Sequence, residues 1–148
     1  IPTYNEVGNI AQVIAGVTAA LPDASILVVD DNLDIRNLLS MILEKEGYTV
    51  IHGVDGREGL EKIIQNIPNL VLLDVMMPGF SGLEVLAAVR ENKKREINSI
   101  PICMITAKSS VEDVDKALEL GATSYIVKPF RPAVLIEKVN SLLALATA

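Results

Sequence analysis

The chain has 148 residues, half of them hydrophobic and 22% charged, which is enough apolar material for one domain with a sizeable core and too much for intrinsic disorder. Its formal net charge of −6 argues against a generic nucleic-acid binder, which needs a basic face to neutralise phosphates. A single cysteine, Cys103, excludes a disulfide framework and is expected inside the core, in keeping with a reducing cytoplasm.

In chain order, Ile10, Val13, Ile14, Val17 and Leu21 fall on one helical face with Asn5 as a candidate cap. Ile1–Tyr4 has the character of a strand tail and Leu21–Ala24 of a turn, so residues 1–22 form an incomplete βα unit. The stretch Ile10–Leu21 has the length of a signal-peptide core, but Glu6 stands where such a signal carries basic residues. No run reaches the ~18 apolar residues of a membrane span.

Five further βα units follow. Ile26–Val29, Thr49–Ile51, Leu70–Leu73, Ile100–Ile105 and Ser124–Val127 have strand length, and all but the second are nearly continuous in hydrophobic residues. That is expected of strands covered on both faces; the second, followed by His52 and Gly53, is expected at an edge. His52 suggests no metal ligand. Between the strands, Ile35, Leu38, Leu39, Ile42 and Leu43 make one helical stripe, and Leu60, Ile63, Ile64 and Ile67 the next. Leu83, Leu86 and Ala87 mark a third helix, with Arg90–Glu96 as its solvated end. A fourth opens on the capping-box pattern Ser109–Glu112 and stops at Gly121. The last begins at Arg131-Pro132 and carries Leu135, Val139, Leu142 and Leu143. Strict alternation predicts a doubly wound parallel sheet, with the flavodoxin-like order 2-1-3-4-5 among the few topologies allowed. The extra N-terminal segment has an outer position beside the second strand available to it.

Polar residues gather at the strand ends: Asp30 and Asp31 after the first, Asp74 after the third, Thr106 after the fourth, Lys128 after the fifth. Ligands of open parallel sheets bind outside these carboxyl ends. Three adjacent carboxylates repel one another, and a hard divalent cation such as Mg²⁺ relieves that repulsion. A lysine and a hydroxyl then suit a phosphoryl group, and a carboxylate can be its nucleophile. Asp113-Val-Asp115 has the form of a metal motif but lies on an amphipathic helix with Val114 towards the core, so it is expected to be a solvated face.

Val28-Val-Asp-Asp31, Leu73-Asp-Val-Met-Met-Pro-Gly79, Met104-Ile-Thr-Ala107 and Tyr125-Ile-Val-Lys-Pro-Phe130 resemble the signature segments of bacterial two-component receiver domains. Intervals of 43, 32 and 22 residues separate Asp31, Asp74, Thr106 and Lys128. The resemblance covers about 125 residues. It implies that Asp74 is the phosphoacceptor. Asp30 and Asp31 would hold Mg²⁺ with Asp74 and the Met76 carbonyl, and Lys128, followed by a cis bond to Pro129, would pair with the phosphate. Thr106 and Tyr125 match the family's switch pair, and Met76 and Lys108 its positions that tune dephosphorylation. The implied partners are a histidine kinase or small phosphodonor and an unknown downstream protein, with no nucleic acid and no membrane. Catalysis is expected to extend at most to self-phosphorylation and autodephosphorylation, and no output region is expected after the last helix.

A second resemblance lies in Ile1-Pro-Thr-Tyr-Asn-Glu6, Asn9-Ile10 and Ile26–Asn32, which look like the start of family 2 glycosyltransferases of the dolichol-phosphate mannosyltransferase kind. The Ser-x-Asp-Gly-Thr-like loop usual there is replaced by Leu33-Asp-Ile-Arg36, so no sugar transfer is expected. Ile26–Asn32 belongs to both resemblances and has the character of a crossover point. The chain therefore reads as a chimera, engineered or recombinant, of a fragment at 1–24 and a receiver at 25–148. A sugar-nucleotide-binding remnant and a scaffold without biological activity are the competing readings.

Overall fold

The computed structural model describes residues 23–107 and 111–147. Five strands, β1 (Ser25–Val29), β2 (Thr49–Gly53), β3 (Leu70–Asp74), β4 (Ile102–Ala107) and β5 (Ser124–Lys128), form one parallel sheet in the order β2-β1-β3-β4-β5. Six helices connect and follow them: α1 (Leu33–Lys45), α2 (Gly56–Asn66), α3 (Gly82–Arg90), the one-turn α4 (Arg95–Asn98), α5 (Val111–Leu120) and α6 (Pro132–Thr147). The sequence-based topology is the observed one. Alternation along each strand divides the core between the two faces. Ile26 and Val28 of β1 join Leu39, Leu43, Leu135 and Val139 under α1 and α6. Leu27 and Val29 join Ile63, Val85, Leu86 and Ala117 under α2, α3 and α5. Cys103 is fully buried in the first of these layers, and burial pushes its thiol up to about 12, so it is an inert packing group as expected.

The helix starts are written locally. Asn32 caps α1 by accepting from the backbone N–H groups of Asp34 and Ile35, and Asp55 caps α2 through Glu58 N. Ser81 and Glu84 form a reciprocal capping box at α3. Gly121, at φ +106°, ends α5 in the left-handed region, as its position in the sequence implies. The Ser109–Glu112 pattern begins outside the described residues.

Four expectations need correction. The second helix stripe is narrower than its periodicity suggests. Ile63 is fully buried, but Ile64 is exposed, and Ile67 leaves the helix as a left-handed cap because Pro68 follows it. Leu38 is likewise 40% exposed rather than buried in the α1 stripe. Strand β5 is not covered like β3: only Ile126 is buried, because no strand lies beyond it in the described sheet. The charged run Arg90–Glu96 is not a solvated helix end either. α3 stops at Arg90, whose guanidinium turns back to bind carbonyls of the following segment, and α4 is a separate turn closed over buried Ile97. None of the described helices is long and apolar enough to cross a membrane.

Candidate functional site

The carboxyl ends of β1 and β3, adjacent in the sheet, carry the acidic residues to one point. One ligand oxygen from each of Asp30, Asp31 and Asp74 lies within 4.8 Å of the others. Among the described residues this is the one cluster with such spacing. Asp30 is fully buried and Asp74 nearly so, while Asp31 faces solvent. Lys128 reaches in from β5, with Nζ 3.2 Å from Asp30 Oδ2 and 3.6 Å from Asp74 Oδ1. The Lys128–Pro129 bond is cis, as the resemblance implies.

One cation against three carboxylates leaves the pocket electrostatically incomplete. Asp74 shows the consequence: its carboxyl is raised from 3.8 to about 6. Burial is the main cause, followed by the charge of Asp30; Lys128 and the Met76 N–H pull the other way, and Asp31 adds a smaller push upward. The Met76 N–H donates to Asp74 Oδ1 at 3.3 Å, while the Met76 side chain is exposed. Asp30 is held more fully. Its Oδ1 accepts from Asn32 N at 2.9 Å, and its backbone carbonyl accepts from Arg36 Nη1 at 2.6 Å.

The remaining expected residues divide. Thr106 ends up buried near the end of β4, in the strand beside β3, with its hydroxyl 3.4 Å from the Ala107 carbonyl. Tyr125 is not brought to the cluster: it sits opposite Met104, three residues before Lys128, and is 40% exposed. Lys108 lies outside the described residues. Asp115 is exposed on α5, as expected for a solvated face, and Val114 is only half-buried.

Two residues the sequence reading overlooked shape the site. Arg36 is buried on α1 and fastens the end of β1 from beneath. Gly82 opens α3 so close to β3 that a Cβ there would stand 2.1 Å from the Asp74 carbonyl oxygen. Only glycine permits that approach.

Residues 26–140 match the family described as response regulator receiver domain. The transcriptional regulatory protein ResD of Bacillus subtilis (strain 168) is 41% identical over 125 residues, covering 84% of this chain and 50% of ResD. Among solved structures, the Vibrio cholerae chemotaxis protein CheY4 matches with a TM-score of 0.74 at 35% identity, over 80% of this chain and 98% of CheY4. Brucella abortus NtrX matches with a TM-score of 0.77 at 32% identity, over 84% of this chain and 28% of NtrX.

An open α/β sheet with an acidic pocket at its carboxyl edge and a lysine from the last strand defines the flavodoxin-like class of receiver. The chain belongs to the response regulator receiver domain family and is the receiver domain of a two-component response regulator. Receiver domains are phosphorylated by histidine kinases and generally use Mg²⁺ at an acidic pocket, and this chain carries a cluster of three aspartates at the carboxyl edge of its sheet. The chain spans half the length of ResD. The receiver match begins at residue 26, and residues 1–22, which carry most of the glycosyltransferase resemblance, lie outside the described residues.

Proposed function

We propose that Asp74 is the phosphoacceptor, with Asp30, Asp31, Asp74 and the Met76 carbonyl as the Mg²⁺ ligands and Lys128 as the phosphate partner. The observation that carries this reading is the cluster itself, three carboxylates within 4.8 Å with one ammonium shared between Asp30 and Asp74. Such a donor set, all oxygen and in charge excess, fits a hard divalent cation. When bound, Mg²⁺ neutralises oxygens of the incoming phosphoryl group. An Asp74 carboxylate oxygen attacks the phosphorus of the donor, the new O–P bond forming as the donor's own bond to phosphorus breaks, and an acyl phosphate results. Of its two oxygens, Oδ1 is engaged by Lys128 and by the Met76 N–H, which leaves Oδ2 as the attacking atom. Lys128 Nζ then transfers part of its attachment from the carboxylates to the phosphate oxygens. Thr106 Oγ1, bonded only weakly at 3.4 Å, is the hydroxyl available to follow the phosphate, and Tyr125 the ring that turns with it.

Incubation with acetyl phosphate and Mg²⁺ adds one phosphoryl group to the intact mass, and Asp74→Asn abolishes the addition. Unchanged labelling of that variant would contradict the assignment. We place the domain boundary at Ser25, with 1–24 as an appended segment. The negative charge bears on these 148 residues only. A nucleic-acid partner is a question for any longer parent chain, since ResD is a transcriptional regulator and the matched region is half of it.

A further inference from the structure

Residues 75–81 join β3 to α3 and carry the Met76 carbonyl just after Asp74. The entrance of this loop is tied to the sheet: Val75 N donates to Ile105 O at 3.0 Å, and Gly82 N donates to Val75 O at 3.1 Å. Its exit meets an element distant in sequence, the first turn of α2. A Cβ on Gly56 would stand 2.1 Å from the Phe80 carbonyl oxygen and 3.1 Å from Phe80 Cδ2, so the helix touches the loop with bare backbone. Gly56 is buried in that contact.

Any side chain at position 56 forces the helix and the loop apart by ~1 Å or more, and the two are unequally free to yield. α2 is seated firmly on the sheet. A Cβ on Gly59 would meet Val29 Cγ1 at 2.8 Å, Ile63 is fully buried, and Lys62 Nζ donates to the His52 carbonyl at 2.5 Å. Its first turn is also capped twice, Asp55 Oδ1 accepting from Glu58 N and Glu58 Oε1 from Val54 N. The loop has slack by comparison: Met76 is 63% exposed, and Gly79 has open space where a side chain would be. Asp74 does not share that slack, because it lies within β3, in register with Ile105 of β4.

We propose that Gly56 is a positioning residue for the metal: by letting α2 sit flush against Phe80, it holds the Met76 carbonyl in register with the Asp74 carboxylate. The proposal rests on the reading of that carbonyl as a Mg²⁺ ligand. Gly56 touches no reacting atom and acts through the loop alone. A side chain there displaces residues 76–80 and takes one oxygen out of the metal set, while the phosphoacceptor stays in place. Two properties that the pocket joins are thereby separated: Mg²⁺ affinity falls, and the reactivity of Asp74 with Mg²⁺ bound does not.

Calorimetric titration of Mg²⁺ into Gly56→Ala, with Ile63→Val on the same helix as the control for lost stability, tests the proposal. Gly56→Ala should bind Mg²⁺ about tenfold or more weakly than the parent, the scale of a lost supporting contact at a metal site. Ile63→Val should lower the urea midpoint and leave Mg²⁺ affinity within about twofold. In acetyl phosphate labelling read by intact mass, Gly56→Ala should regain the parent's rate once Mg²⁺ is raised to saturation. An affinity equal to the parent's, an equal loss in Ile63→Val, or a rate that stays low at saturation overturns the proposal. If Gly56→Ala does not fold, amide exchange in the parent decides. Mg²⁺ should slow exchange of the Gly59 N–H, bonded to Asp55 O in the first turn of α2, several-fold more than that of the Ile67 N–H at the far end. Equal slowing at the two ends overturns the proposal. A parent that binds no Mg²⁺ overturns the ligand reading as well, whereas a parent and a Gly56→Ala chain that bind it equally overturn the role of Gly56 alone.

Discussion

Two of the cations drawn towards the body of this domain, Arg90 and Lys128, have surroundings that differ in one respect, and it separates structure from function. Arg90 is matched: Nε donates to Gly121 O, Nη1 to Asn98 O and Ile100 O, and Nη2 approaches the Thr123 hydroxyl. Its partners are neutral carbonyls from the two segments that flank β4, so it ties α3 to the chain on either side of that strand. Lys128 is mismatched: it stands between Asp30 and Asp74 with Asp31 close by, one positive charge facing three negative ones. A satisfied buried ion holds a fold, whereas an unbalanced cluster stores repulsion that a ligand of the right charge removes. The same physics gives a structural clamp at one end of the sheet and a binding pocket at the other.

Breaking the clamp gives the largest effect. Arg90→Met keeps the aliphatic stem but leaves carbonyls of Asn98, Ile100 and Gly121 without their donor, which costs roughly 3 kcal/mol at about 1 kcal/mol each. A urea titration should show that loss while Mg²⁺ affinity stays within twofold. A loss under about 1 kcal/mol would show that the carbonyls find other partners.

At the pocket the sign reverses. The Asp74 carboxyl is about 6 in the folded chain against 3.8 unfolded, so the folded state binds its proton more tightly. Stability from this group is therefore fully present below pH 3.8 and is lost as pH rises through about 6. Across that window the loss amounts at most to roughly 3 kcal/mol. Asp74→Asn should remove this component, leaving the variant more stable than the parent at pH 7 without Mg²⁺ and much closer to it at pH 4. Mg²⁺ at pH 7 should restore the parent and leave the variant nearly unchanged. Parallel pH–stability curves for the two chains would show that Asp74 carries no such strain.

A smaller effect sharpens the comparison within the pocket. Asp31 is exposed and Asp30 is fixed by Asn32 N and Arg36, so Asp31 is the carboxylate freest to serve a cation. Asp31→Ala should weaken Mg²⁺ binding at least about tenfold, or ~1.4 kcal/mol, by calorimetric titration. An affinity equal to the parent's would place the metal elsewhere.

The contrast also explains what could be read from the chain before its structure. The sheet order and the acid cluster were legible because strand-length apolar runs end in Asp30, Asp74, Thr106 and Lys128, and a parallel sheet brings such ends together. Asp30, Asp31, Asp74 and Lys128 announce themselves by residue type. Arg36, Gly82 and Arg90 do not, because what each meets is backbone: the Asp30 carbonyl, the Asp74 carbonyl and the three carbonyls around β4. Backbone partners leave no mark in a sequence, so Arg90 looked like the start of a solvated charge run. Tyr125 was legible as a motif position, yet its outward place on an edge strand depends on β5 having no further neighbour among the described strands.

If the unbalanced cluster takes a phosphoryl group on Asp74, the resulting acyl phosphate can be located directly. After treatment with acetyl phosphate and Mg²⁺, borohydride reduces the acyl phosphate to the alcohol, turning the modified aspartate into homoserine. Peptide sequencing by mass spectrometry should find homoserine at position 74 and aspartate at 30 and 31. Homoserine at position 30 or 31, or at none of the three, would contradict the account.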